Sequence, residues 1–136
     1  MADRLTRAQR SRLMGRVGQF NTPPELTVRR IAHSMGYRFR LHRKDLPGRP
    51  DIVFPKLRKA VFVHGCFWHR HAGCRKATTP KSNEAYWQQK FTDNVERDNK
   101  AVAELSRLGW ETMIVWECET RDIDTLRDAI STFLKR

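Results

Sequence analysis

Apolar positions recur at helical spacing along three stretches of the chain. Val28, Ile31, Ala32 and Met35 return every three or four residues, which predicts a helix with one buried face. Thr22-Pro23-Pro24-Glu25 just before them reads as a capping box with proline at the first helical position, and Gly36 can end the helix. Trp87, Phe91, Val95, Val102 and Leu105 form the stripe of a longer helix, capped at Ser82, running to about Leu108 and stopped by Gly109. Asp98 falls on that stripe. A last helix starts at Asp124 and turns Leu126, Ala129, Ile130 and Phe133 inward. Thr6-Arg7-Ala8-Gln9 opens a further, short basic helix that ends near Gly15.

Between these stretches the period changes. Tyr37-Arg38-Phe39-Arg40-Leu41 alternates, as a half-buried strand does. Asp51-Ile52-Val53-Phe54-Pro55 and Ala60-Val61-Phe62-Val63 are apolar throughout, the pattern of central strands covered on both faces. The first has a carboxylate at its start, and the second ends at His64-Gly65. Leu46-Pro47-Gly48-Arg49-Pro50 reads as a turn, and Thr112-Met113-Ile114-Val115-Trp116 as a fourth buried strand. Helices alternating with buried strands predict a layered α/β sheet.

Composition narrows the class. With 136 residues, 39% of them hydrophobic and 31% charged, the chain has the makings of one globular domain. The expected organisation is a basic N-terminal arm over residues 1–20 and a single domain over 21–136. The net charge of +12 is uneven: +9 in residues 1–50, +5 in 51–100 and −2 in 101–136. Such a gradient points to a polyanion, and nucleic acid rewards clustered Lys and Arg through counterion release. A solubilising charge excess is the alternative, but solubility alone requires no asymmetry. No apolar run approaches the roughly 20 residues of a membrane span. The arginine-rich N-terminus has no apolar stretch of a secretory signal, so a cytoplasmic protein is expected.

Three cysteines in a reducing compartment are better placed as thiolate ligands than as disulfides. Cys66, His71 and Cys74 lie close enough to converge from one loop, and Cys118, after a central strand, can supply a fourth corner. Three thiolates and one imidazole make a closed tetrahedral set suited to structural zinc. Buried thiols with a surface histidine are the alternative.

Asp51, His64, His69 and Asp98, with Glu25 as an outlying member, form a second constellation. A carboxylate at the mouth of one central strand, facing a histidine at the end of the next, suits a magnesium site that keeps waters for reaction. Asp98 on an apolar stripe is costly without a partner. His69 can be that partner, and the carboxylate would make it a stronger general base. Against this, Asp51 can be a turn residue after Pro50, Asp98 an ordinary surface carboxylate and His64 a core histidine. Phe67 and Trp68 sit inside the cysteine loop. In a basic protein such aromatics can wedge between base pairs, which costs least at a mismatch. Packing on the core is the alternative, especially for Trp87.

Several strings occur together: Pro47-Gly48-Arg49-Pro50-Asp51, His64-Gly65-Cys66-Phe67-Trp68-His69, Asn94-Val95-Glu96-Arg97-Asp98, and Gly109-Trp110 with Val115-Trp116-Glu117-Cys118. In order and spacing they resemble the very short patch repair (Vsr) endonucleases over nearly the whole chain. The resemblance implies a restriction-endonuclease-like three-layer fold, with a four-stranded mixed central sheet flanked by helices and a structural zinc loop. It implies hydrolysis of one strand on the 5′ side of the thymine of a T:G mismatch arising from 5-methylcytosine deamination, leaving 5′-phosphate and 3′-hydroxyl ends. It implies catalytic magnesium on Asp51 and on the backbone carbonyl of Val63, and His69 as base supported by His64 and Asp98. Glu25 would lie near the metal water. Zinc would be held by Cys66, His71, Cys74 and Cys118. Phe67, Trp68 and His69 would form the wedge, with Trp87, Lys90 and Asn94 also on DNA. The best-known pattern has a hydroxyl residue at position 63, and the wider superfamily has an acid and a lysine where Phe62 and His64 stand here. The expected protein is a monomer on mismatched duplex DNA, associated with the nucleoid of a prokaryote, with mismatch-repair proteins as possible partners. Two rivals are a zinc-stabilised DNA-binding module without catalysis and a restriction-type nuclease acting on fully paired DNA.

Overall fold

A computed structural model describes residues 21–67, 69–75 and 81–136. The expected N-terminal helix and Trp68 lie outside the described residues. The first described helix, α1, runs Pro23–Ser34; Thr22 caps it, its side chain accepting from the Glu25 N–H, with proline at the first turn. Strands β1 (Arg40–Leu41), β2 (Ile52–Phe54) and β3 (Lys59–His64) follow, then helix α2 (Glu84–Arg107) and strand β4 (Glu111–Trp116). A 3₁₀ turn (Glu117–Arg121) and helix α3 (Ile123–Lys135) complete the order.

The sheet is mixed, in the order β1-β2-β3-β4. β1–β2 and β2–β3 are antiparallel, while β3–β4 is parallel, with His64 opposite Trp116. A parallel pair needs a long crossover, which here contains α2. Period-two alternation sorts the strand side chains between two cores. Ile52, Phe54, Val61 and Val115 pack with Val28, Ile31 and Ala32 of α1 and with Leu126, Ile130, Phe133 and Leu134 of α3. Phe62 packs with Ala101 and Leu105 of α2, with Ile114 and Trp110 against them. The sheet therefore has α1 and α3 against one core and α2 against the other.

Four local expectations are corrected. Only Arg40–Leu41 of the expected 37–41 strand pairs, because Tyr37 and Phe39 turn edge-on to Phe54 and serve the core as loop residues. β4 is an edge strand in which Val115 alone is buried, since among the described residues nothing pairs beyond it in the sheet. α2 is capped at Asn83 in the left-handed region, φ 56°, with no side-chain cap, rather than at Ser82. α3 is capped by Asp122, which accepts from the Thr125 N–H at 3.1 Å. That cap starts the helix one residue before Asp124; on the formed helix Ala129 is exposed and Leu134 is buried.

Two features fix the framework near the site. Gly48 has φ +73°, and a Cβ there would lie 2.5 Å from Ala101 Cβ, so the turn before Asp51 rests directly on α2. Lys59 is buried at 3% exposure and donates to the Phe133 carbonyl at 2.5 Å, tying the start of β3 to the last turn of α3. No described helix is long and apolar enough to cross a membrane.

Candidate active site and thiol cluster

Asp51 immediately precedes β2, where the chain enters the sheet from the Gly48 turn. Its Oδ2 accepts a 2.7 Å hydrogen bond from the Val63 N–H on β3. Burial pushes its pKa up to about 6, against the pull of that hydrogen bond and of Arg29. Its neighbours are Glu25 and His42, and the donor atoms of the three lie within 4.8 Å of one another. In sequence Glu25 is a capping residue and an outlying site member. In the structure its carboxylate, 1% exposed, bonds Arg29 and lies 3.1 Å from His42 Nε2 through each oxygen.

His42 is not among the residues that the sequence singles out. The signal for it lies in the hairpin register: Leu41 pairs with Ile52, so position 42 falls opposite 51, and the His42 N–H donates to the Asp51 carbonyl at 3.1 Å. Burial, with Arg29 and Arg49 nearby, lowers the His42 pKa.

His64, His69 and Asp98 form a separate group within the same 4.8 Å limit. Asp51 and His64 thus fall in two clusters joined through β3, since Val63 binds Asp51 and His64 is the next residue. His69 Nδ1 donates to Asp98 Oδ2 at 2.6 Å, so the Asp98 on the α2 stripe has the partner its position demands. The His64 ring stacks on His69 with centroids 3.9 Å apart and planes 8° from parallel. Burial, and the neighbouring His69, push the His64 pKa down to about 4. A neutral His64 does not repel a proton arriving on His69. The His64 Nδ1 is buried with no hydrogen-bond partner among the described residues.

Cys66, His71, Cys74 and Cys118 bring their donor atoms within 4.8 Å of one another. The parallel register explains the distant member. His64 pairs with Trp116, and Cys66 and Cys118 each follow two residues later. Cys118 Sγ lies 3.4 Å and Cys66 Sγ 3.7 Å from His71 Nδ1. The His71 ring stacks on Trp116 at 4.3 Å. Burial pushes the Cys66 thiol up to about 12. A soft cation would reverse that by taking the thiolate, so the donor set fits zinc. The two carboxylates and one imidazole at Asp51 fit a harder divalent ion.

The aromatics lie beside this cluster. Phe67 packs edge-on against Phe91 at 5.2 Å and Trp87 at 5.9 Å. Trp87 and Asn94 are half-buried on α2, and Lys90 is exposed near the Tyr86 ring. Arg70, also outside the sequence-based set, sits 4.0 Å over the Phe91 ring.

Residues 2–76 match the family model described as DNA mismatch endonuclease Vsr. The class is therefore that of DNA endonucleases, and within it the chain belongs to the Vsr family. It is 51% identical over 134 residues to the type II nicking enzyme V.XorIIP of Xanthomonas oryzae pv. oryzae, covering 98% of each chain. It is 38% identical over 135 residues to the type II nicking enzyme V.NmeAIP of Neisseria meningitidis, covering 99% of this chain and 96% of the relative. It is also 38% identical over 132 residues to the DNA mismatch endonuclease Vsr of Escherichia coli, covering 97% of this chain and 84% of the relative.

Proposed function

We propose that the chain is a divalent-metal-dependent endonuclease that nicks one strand of duplex DNA on the 5′ side of the thymine of a T:G mismatch. The observation that carries the reading is the pairing of two adjacent units: a buried Asp51 clustered with Glu25, and a His69 bonded to Asp98. Family membership and the +12 charge support DNA as the substrate. The fold is read as restriction-endonuclease-like, and the chain as a monomer, since one nick needs one site.

Asp51 and Glu25 would hold magnesium, with the Val63 carbonyl beside them; the ion supplies charge neutralisation at the scissile phosphate and at the leaving oxygen. The Val63 N–H pins one Asp51 oxygen, so the carboxylate needs no reorganisation when it is loaded. Asp98 holds the proton on His69 Nδ1, which leaves Nε2 as the acceptor for the proton of the attacking water. His64 stacks behind His69 and limits its rotation. The thiol cluster would hold zinc and brace the loop that carries His69. Phe67 would leave the α2 aromatics and, together with Trp68, enter the base stack, with Trp87, Lys90 and Asn94 on the DNA. A mismatch lowers the unstacking cost, which is of a few kcal/mol.

The test is incubation with magnesium of labelled duplexes that are identical except for a T:G, T:A or C:G pair at one position. A single break in the T-containing strand of the T:G duplex is expected, with both paired duplexes intact. Breaks in both strands of a paired duplex would favour a restriction-type nuclease. Binding without any break would favour a DNA-binding module.

A further inference from the structure

We propose that His42 is a nitrogen ligand of the cation held by Asp51 and Glu25, so that the site is a mixed nitrogen–oxygen centre that prefers Mn²⁺-like ions to Mg²⁺. The inference rests on the metal reading of Asp51 given above.

Placement carries the argument. The donor atoms of Glu25, His42 and Asp51 lie within 4.8 Å of one another, close enough that small side-chain movements bring all three to about 2.1 Å from a single bound ion. His42 Nε2 is 3.1 Å from both Glu25 oxygens, so the ring edge is aimed squarely at the Glu25 carboxylate, with the Asp51 donor atom inside the same group. The backbone enforces the aim. His42 takes the left-handed conformation, φ 48°, uncommon for a residue with a Cβ, and its N–H is tied to the Asp51 carbonyl at 3.1 Å. Arg49, near the other end of the same hairpin, is also at φ 48°. Strain of this kind persists where the surroundings over-determine it.

Without a cation, the His42 Nε2–H donates to Glu25. On loading, the ring stays neutral: its proton moves to Nδ1 through solvent, and the Nε2 lone pair faces the ion. Arg29 remains on the Glu25 oxygen it already binds, so Glu25 keeps its orientation. An all-oxygen site suits magnesium, and an imidazole among the ligands raises affinity for first-row transition ions relative to it.

The experiment uses the full-length, zinc-loaded protein with added Mn²⁺ and pulsed electron paramagnetic resonance. Wild type is expected to show coupling of the Mn²⁺ spin to an imidazole nitrogen. His42→Gln and His42→Asn are expected to bind Mn²⁺ without that coupling, and His64→Gln to retain it. Asparagine tolerates positive φ, so His42→Asn separates ligand loss from misfolding. By calorimetry, the preference for Mn²⁺ over Mg²⁺ is expected to fall about tenfold in both His42 variants. Mn²⁺ bound without nitrogen coupling in wild type, or coupling that survives His42→Gln, overturns the assignment. Asp51→Asn separates the two readings. If it abolishes Mn²⁺ binding while wild type lacks nitrogen coupling, only the His42 inference fails. If it binds Mn²⁺ as wild type does, the metal reading of Asp51 falls as well.

Discussion

His69 and Asp98 are bonded Nδ1 to Oδ2 at 2.6 Å across the interface between the cysteine loop and α2. The bond joins a residue whose backbone is shaped by the thiol cluster to one fixed by a long helix. It sets the tautomer of the imidazole, and with it which ring nitrogen can accept a proton.

Asp98→Asn keeps the shape but can stabilise the wrong tautomer. Nicking of a T:G duplex at saturating metal is expected to fall about 10²–10⁴-fold for His69→Gln, and by a substantial part of that for Asp98→Asn. Single-turnover kinetics check this. A loss under about threefold for His69→Gln would remove it from the base role.

The pH dependence of stability follows from two opposed groups. The Asp51 pKa is raised to about 6 in the fold. The folded state therefore takes its proton first, and the site gains stability as pH falls from about 6 towards 4. His64 is held down to about 4. There the unfolded chain takes the proton first, and stability is lost as pH falls from about 6.5 to 4. Each effect is on the order of 3 kcal/mol, so they nearly offset. With zinc bound and no other divalent ion, between pH 7 and pH 5 Asp51→Asn is expected to lose melting temperature relative to wild type, and His64→Phe to gain it. Parallel curves for wild type and both variants would contradict the burial account.

Removal of metal from the thiol cluster is expected to lower the melting temperature by more than about 10 °C, because ion binding and loop folding are one event. Cys118→Ala is expected to reproduce the loss and to release zinc measurable by elemental analysis. A chelator that strips zinc without moving the melt would mean that the cluster braces nothing.

Gly48→Ala places a methyl 2.5 Å from Ala101 Cβ at a residue with φ +73°. It is expected to cost about 2–4 kcal/mol, from overpacking and backbone strain together. Denaturant melts check the size. Ala101→Gly in the same chain is expected to restore part of the loss by removing the clash.

The parts legible in the sequence were those with local or periodic signals. β2 and β3 declared themselves by unbroken apolar runs, and both sit inside the sheet, buried along nearly their whole length. The Thr22 cap and the helix after it were written in neighbouring residues. Ala129 misleads because it adjoins inward Ile130 in sequence, while helical spacing puts Leu126, Ile130, Phe133 and Leu134 on the buried face and Ala129 to its side. β4 carries the same apolar signature as the central strands, but position in the sheet, which sequence does not encode locally, made it an edge. Cys118 is far in sequence from the other three members of its set, and only the parallel register brings it to Cys66. His42 was invisible because its role comes from strand pairing. Glu25 was half visible, since a capping-box glutamate and a site carboxylate look alike until the tertiary partners appear.

Asp51→Asn tests the central claim most directly, with cleavage and DNA affinity measured side by side on a labelled T:G duplex in magnesium. Cleavage is expected to fall by at least about 10²-fold. Affinity is expected to hold or tighten, because a negative charge facing the phosphates has been removed. If the Asp51→Asn variant nicks at the wild-type rate, the account is contradicted.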